Sequence, residues 1–77
     1  MKIDYVSIGK RIKSFRNEKG WTQAVLAEKS GVEPSNISHI ERAATKVSLP
    51  TLISIANALD VSLDEIVYNS LVKMNIF

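Results

Sequence analysis

Gly31 divides the stretch from Trp21 to Arg42 into two short segments of helical pattern, and this break constrains the fold strongly. Glycine adopts a left-handed backbone conformation without steric penalty, so the chain can reverse sharply there. Ala27, four residues earlier, lacks the bulk that would keep two steeply crossing helices apart. Ile37 and Ile40 follow as apolar anchors about one helical turn apart. These are the requirements of a helix-turn-helix, so we predict that motif here.

The residues before this stretch also show helical spacing. Ile8, Ile12 and Phe15 recur on one face, with basic residues filling the other. This pattern predicts an amphipathic first helix over about residues 5–18, closed by Gly20.

Start signals place the two helices of the motif. Thr22 is a good N-cap, so we place the second helix at about residues 23–30. Pro34 suits the first position of a third helix that runs to about Arg42, because the missing N–H of proline is not needed there. Glu33 is a poor N-cap by comparison.

Two more helices are predicted after the motif. Ser48 caps a fourth helix, and Ser62 and Glu65 have capping-box spacing for a fifth. The fourth carries an apolar stripe formed by Leu52, Ile55, Ala56 and Leu59. No segment shows the alternation of a strand. The predicted fold is therefore all-α, with five helices in a single domain over residues 1–77.

The composition indicates a soluble domain of 77 residues. The chain has no cysteine, so we expect neither disulfides nor a thiolate metal cluster. No segment resembles a signal peptide or a membrane span, which favours a cytoplasmic protein with no membrane association. Because no phosphate loop, catalytic triad or metal-ligand set is present, we expect no enzyme activity, cofactor or metal.

The charges are unevenly distributed. The first 19 residues carry six basic and two acidic side chains, and the remainder carries four basic and six acidic ones. A basic end suits a protein that meets an anionic polymer with one face. A solvated basic helix face would give the same pattern.

Three runs of sequence together resemble the phage repressor and Cro family of helix-turn-helix proteins, often called the XRE type. They are IGKRIKSFRNEKGWTQAVLAEKSGV, PSNISHIER and SLPTLISIANALDVSLDEI, within about residues 8–67. The resemblance implies a five-helix, lambda-repressor-like DNA-binding domain, usually a homodimer on a two-fold operator. Restriction–modification controller proteins and small repressors of mobile elements are similar in length.

The resemblance also implies contacts with double-stranded DNA. The residues that match base-reading positions are Pro34, Ser35, Asn36 and His39. The residues expected at phosphates are Lys13, Arg16, Thr22, Gln23, Thr45 and Lys46. Arg16 and Glu41 match a pair that joins the first helix to the third. In the alternative interpretation, the polar residues of the third helix are only a solvated face.

The chain departs from the family pattern at the end of the third helix. The family usually has glycine there, whereas Arg42 is followed by Ala43 and Ala44. A left-handed alanine costs on the order of 1 kcal/mol, so the helix either continues a little or closes differently.

The segment over residues 67–77 is unusually apolar. We predict that it forms a dimer interface, because a two-fold contact lets one apolar patch cover its own copy. The residues assigned to this interface are Ile53, Val67, Leu71, Met74, Ile76 and Phe77. In the alternative, Leu71, Met74 and Phe77 fold back over their own fourth helix.

Three classes of function remain. The first is a sequence-specific transcriptional regulator, a repressor that acts as a dimer on a palindromic operator. The second is a protein-interaction module, such as an antitoxin that binds a toxin through its apolar C-terminus. The third is a helical domain that has lost DNA binding, which the basic first helix argues against.

Overall fold

Five α-helices make up most of the computed structural model, which describes residues 2–68 and 71–72. Their bounds are α1 Tyr5–Glu18, α2 Gln23–Ser30, α3 Pro34–Glu41, α4 Leu49–Leu59 and α5 Leu63–Val67. The predicted all-α, five-helix class is confirmed, and α2 and α3 are joined at Gly31, whose φ is 72°. Within the described ranges, no helix combines the length and apolarity needed to cross a membrane.

A side chain caps the N-terminus of every described helix except α3. Each cap accepts a hydrogen bond from the backbone N–H three residues later: Asp4 from Ser7, Thr22 from Val25, Ser48 from Thr51 and Ser62 from Glu65. The side chain of Glu65 bonds the backbone N–H of Ser62 in return, which completes the predicted capping box. Glu33 makes no capping bond, as expected for a poor N-cap.

Ala43 closes α3 in a left-handed conformation, with a φ of 56°. Its backbone N–H bonds the carbonyl oxygen of Ile40 at 3.1 Å, and the N–H of Ala44 bonds that of His39 at 2.8 Å. These two bonds form a Schellman motif, in which glycine usually occupies the left-handed position. The chain therefore keeps the usual closure of the helix and places alanine where glycine is favoured.

We expect the substitution Ala43→Gly to stabilise the domain. Alanine in a left-handed conformation costs about 1–2 kcal/mol of stability, and glycine removes this cost. Glycine also makes the unfolded chain more flexible, which lowers the stability by about 0.4–1 kcal/mol. A net gain of about 0.5–1 kcal/mol would raise the Tm by roughly 2–8 °C, measured by circular dichroism. Ala44→Gly is the matched control: Ala44 is not left-handed, so its Tm should fall. A similar response from both variants would contradict this assignment.

The core lies where the helices meet, and all five contribute to it. Its buried apolar residues are Ile8, Ile12, Leu26, Ala27, Ile37, Ile40, Leu52, Ile55, Ala56, Leu59 and Ile66. The predicted anchors Ile37 and Ile40 are among them. Helix α3 therefore turns these residues inward and leaves its opposite face to solvent.

Helices α1 and α3 approach each other closely at Gly9, which is buried. A Cβ atom built on Gly9 would lie 2.8 Å from the carbonyl oxygen of Glu41 and closer still to that of Ile40. Real Cβ atoms essentially never come within 3.0 Å of another atom in this way. Only glycine lets α1 lie this close to the end of α3, a role that the sequence pattern did not indicate.

Two short strands form an antiparallel pair that the sequence pattern did not predict. Strand β1, Lys2–Ile3, pairs with strand β2, Leu71–Val72, so that Lys2 lies opposite Val72 and Ile3 opposite Leu71. Two residues per strand are too few to show alternation, which explains the missing signal. The pairing brings the chain after α5 back to the start of α1.

Candidate nucleic-acid interface

The outward face of α3 is polar. It is open to solvent because the opposite face of the helix packs into the core. Ile37 and Ile40 are buried, whereas Ser35 and His39 are exposed. Residues four apart on a helix are neighbours, so Ser35 and His39 lie next to each other. Pro34, also exposed, forms the first residue of the helix. Three of the four predicted base-reading residues are therefore accessible.

Asn36 lies on the flank of α3. It is half-buried and lines a shallow groove together with Pro50, Thr51 and Ser54 of α4. The four predicted base-reading residues therefore do not share one face. Asn36 is therefore partly accessible, from a flank that adjoins the start of α4.

Arg42, the C-cap residue of α3, continues the outward face of the helix, and the sequence pattern did not single it out. It follows Ser35 by seven residues, almost two full helical turns, so the two side chains point the same way. Arg42 is exposed, and its Nε donates to the carbonyl oxygen of Ser38 at 3.3 Å. The spacing that relates Ser35 to His39 also identifies Arg42.

A buried ion pair joins α1 to α3. The guanidinium of Arg16 donates two parallel hydrogen bonds to the carboxylate of Glu41, from Nε to Oε2 at 2.7 Å and from Nη2 to Oε1 at 2.8 Å. The two side chains are only 9% and 2% exposed. These hydrogen bonds raise the pKa of Arg16 above its usual value because they stabilise the charged form. The predicted structural pair is present in the structure.

The other predicted role of Arg16, a phosphate contact, has little room in this arrangement. Its remaining nitrogen, Nη1, donates to the carbonyl oxygen of Trp21 at 2.8 Å and to Oδ1 of Asn17 at 3.3 Å. Every nitrogen of the guanidinium is thus bonded within the protein, and the side chain is buried. The structure thus shows Arg16 in the structural pair, and its phosphate contact stays a prediction.

Gln23 extends the pair into a three-residue network. Its Nε2 donates to Oε1 of Glu41 at 3.1 Å, and the same oxygen accepts from Arg16. The side chain of Gln23 keeps one amide hydrogen and its oxygen for another partner. A phosphate contact from Gln23 is compatible with this network, in which the bond to Glu41 holds the side-chain amide in place.

The N-terminus of α2 offers hydrogen-bond donors to an anion. Thr22 accepts a bond from the backbone N–H of Val25 at 3.2 Å, and its exposed hydroxyl keeps its own hydrogen as a donor. The backbone N–H groups of Gln23 and Ala24 have no acceptor within the part of the chain that the structure describes, as is usual in a first turn. Phosphates bind well at such a terminus.

The remaining predicted phosphate contacts lie on α1 and on the loop after α3. Lys13 is exposed on α1, and Lys46 is exposed in the loop. Thr45, beside Lys46, is half-buried. The two lysines are accessible to an anion.

The predicted dimer segment lies only partly within the described residues. Val67 is partly buried against the core of its own chain, and its place in a patch between copies stays a prediction. The backbone of Leu71 pairs with Ile3, and Ile53 is 43% exposed. The rest of the predicted set lies outside the described residues: Met74, Ile76 and Phe77.

Helices α2 and α3, joined by a short turn that contains glycine, with α3 anchored in the core and its other face open to solvent, have the form of the helix-turn-helix class of proteins. The model of the family HTH_3, described as helix-turn-helix, matches residues 12–66. The chain belongs to this family.

Two curated relatives are regulators. The HTH-type transcriptional regulator SinR of Bacillus subtilis (strain 168) is 48% identical over 56 residues, which cover 71% of this chain and 50% of SinR. The immunity repressor protein of Bacillus phage phi105 is 40% identical over 62 residues, covering 80% of this chain and 43% of that protein. The chain thus spans about half the length of these relatives.

Two crystal structures share the fold. That of the restriction-modification controller protein C.AhdI from Aeromonas hydrophila has a TM-score of 0.80 at 36% identity and covers 82% of this chain and 96% of that chain. That of SinR in complex with DNA has a TM-score of 0.73 at 45% identity and covers 77% of this chain and 95% of that chain.

Proposed function

We propose that this chain is the DNA-binding domain of a transcriptional repressor that reads double-stranded DNA with α3 in the major groove. The outward face of α3 carries the proposal: Ser35, His39 and Arg42 are exposed there, while the core holds the opposite face. The major groove is about 12 Å wide and admits such a helix. The likeness to SinR, whose structure was solved in complex with DNA, supports the same use of this fold.

The proposed contacts divide into two groups. Phosphates bind at the start of α2, through Thr22 and through the backbone N–H and side-chain amide of Gln23, and at the accessible side chains of Lys13 and Lys46. These contacts supply affinity and register and carry little sequence information. Base edges meet the outward face of α3, and sequence choice rests there.

The proposed regulator acts as a homodimer on a palindromic operator in the cytoplasm, and it has no catalytic activity of its own. The exposed Ile53 and the apolar composition of residues 69–77 support a contact between copies. A two-fold dimer places its two recognition helices about one turn of DNA apart, roughly 34 Å.

Selection of bound sequences from a random duplex library tests this function. We expect a consensus of two inverted half-sites whose centres lie roughly 10 base pairs apart. Affinity for the consensus duplex should fall steeply with salt, because each neutralised phosphate releases counterions. Sedimentation equilibrium of the complex should give two chains per duplex. One asymmetric site bound by a single chain would rule out the dimer, and no consensus at all would rule out specific DNA binding.

Base-reading and phosphate-binding residues should respond differently to substitution. His39→Ala should change the preferred base at one position of each half-site, with a loss of about 1–3 kcal/mol on the original consensus. Lys46→Ala should weaken all sequences alike and lower the salt slope by about one. Both side chains are exposed, so the Tm should hardly change. Binding constants on single-base variants of the consensus measure both effects, and the same uniform loss for both substitutions would show the division to be wrong.

A further inference from the structure

The side chain of Arg42 is available for recognition, unlike that of Arg16. Its Nε donates to the carbonyl oxygen of Ser38, one helical turn earlier, which directs the guanidinium back along the outward face of α3. Both Nη groups lack a partner within the described residues, whereas all three nitrogens of Arg16 are bonded to protein groups. The exposed face of α3 thus ends in two adjacent NH2 groups that bond no protein acceptor among the described residues.

The position of Arg42 on the helix determines what these donors can reach. Seven residues separate it from Ser35, and an α-helix rises about 1.5 Å per residue, so the two positions lie roughly 10 Å apart. This distance matches about three base-pair steps of 3.4 Å. Since the two residues share one face, a helix that lies along the groove with Ser35 at a base edge brings the long side chain of Arg42 within reach of a base further along.

We propose that Arg42 is a specificity-determining residue that reads a guanine in each half-site, about three base pairs from the base that Ser35 faces. Paired N–H donors of a guanidinium match the O6 and N7 acceptors of guanine, the commonest specific contact in the major groove. This inference rests on the proposed DNA-binding function and adds to it the identity of one base.

A phosphate is the other possible partner of this guanidinium, and lysine distinguishes the two. An ammonium replaces a guanidinium well as a point charge at a phosphate, but it lacks the planar fork that bonds guanine at two positions. Arg42→Lys should therefore keep phosphate binding and lose most of the discrimination for guanine.

The experiment uses the full chain and the selected consensus duplex, with all four base pairs tested in turn at each position of one half-site. The wild-type protein should prefer guanine at one position by roughly 10- to 100-fold, the size of a good bidentate contact. Arg42→Ala should abolish this preference and keep the preferences at other positions. Arg42→Lys should also lose most of it while keeping the salt slope, and Lys46→Ala, the matched control, should keep the preference at lower affinity.

Several outcomes would overturn the proposal. If Arg42→Ala weakened all duplexes equally and lowered the salt slope, while Arg42→Lys bound like the wild type, Arg42 would be a phosphate contact. A consensus whose guanine preference survives Arg42→Ala would also overturn it and leave the proposed function intact. If the wild-type chain selected no consensus, the function itself would fail. Should Arg42→Ala lower the Tm, Arg42→Gln, which keeps a side-chain donor near Ser38, provides the second variant for the same comparison.

Discussion

Gly9→Ala is expected to destabilise the domain by about 2–3 kcal/mol, although alanine is the better helix former. Replacing a helical glycine with alanine normally gains about 1 kcal/mol. Here the added Cβ would press on the carbonyl oxygens of Ile40 and Glu41. Both belong to the backbone at the end of α3 and cannot rotate away, so the cost lies at or above the upper end of the usual 1–3 kcal/mol for overpacking. The helices must then separate.

Thermal unfolding measures this effect, and two variants serve as controls. For a domain of this size, a loss of 2–3 kcal/mol lowers the Tm by roughly 10–20 °C. Ser14→Ala, at an exposed position of the same helix, should leave the Tm unchanged or raise it slightly. Gly20→Ala meets open space but has a φ of 71°, so it should cost only about 1–2 kcal/mol. If Gly9→Ala were no worse than Gly20→Ala, the close approach of α1 and α3 would not be real.

The sequence was a good guide to features that depend on neighbouring residues. The predicted bounds of α1 and α2 match the structure, and so do the caps at Thr22, Ser48 and Ser62. Caps and apolar stripes act over three or four residues, so their physical cause lies within a short window of sequence. The resemblance to a known family added the pairing of α1 with α3.

Features that depend on contacts between distant segments were not predictable in the same way. The need for glycine at position 9 arises from carbonyl groups more than thirty residues away. The bond from Gln23 to Glu41 and the pairing of Ile3 with Leu71 also join distant segments. No local pattern marks such residues, because an exposed glutamine and one bonded across the fold are identical in sequence.

The candidate site shows both what the sequence can predict and what it cannot. The resemblance to the family pointed to Ser35 and His39, which are both exposed. It did not point to Arg42, the C-cap residue of α3, although Arg42 lies at the same helical spacing. The flank position of Asn36 depends on where α4 packs, which the spacing within α3 cannot give.

Arg16→Ala and Glu41→Gln are both expected to destabilise the domain by about 3–5 kcal/mol, the largest effects predicted for this chain. Each substitution leaves the charge of the other member buried without its counter-charge. Arg16→Ala leaves the carboxylate of Glu41 with the amide of Gln23 as its one partner among the described residues. Glu41→Gln leaves a buried guanidinium with neutral acceptors alone: the oxygens of Trp21, Asn17 and the new amide. Urea unfolding followed by circular dichroism measures the loss. If both substitutions lowered the free energy of unfolding by less than about 1 kcal/mol, the pair would be solvated, as surface ion pairs are.

The double substitution Arg16→Met with Glu41→Leu separates the ion pair from the space that it fills. A buried pair replaced by apolar residues of similar volume is often neutral or even more stable, because neither charge then needs to be desolvated. We therefore expect the double variant to be more stable than Arg16→Met or Glu41→Leu alone, with a coupling energy of about 2–3 kcal/mol in a double-mutant cycle. It should still bind DNA more weakly than the wild type, because Gln23 loses the oxygen that fixes its amide at the start of α2. If the two single losses simply added, the side chains would stabilise the contact of α1 with α3 by packing, and the charges would contribute little.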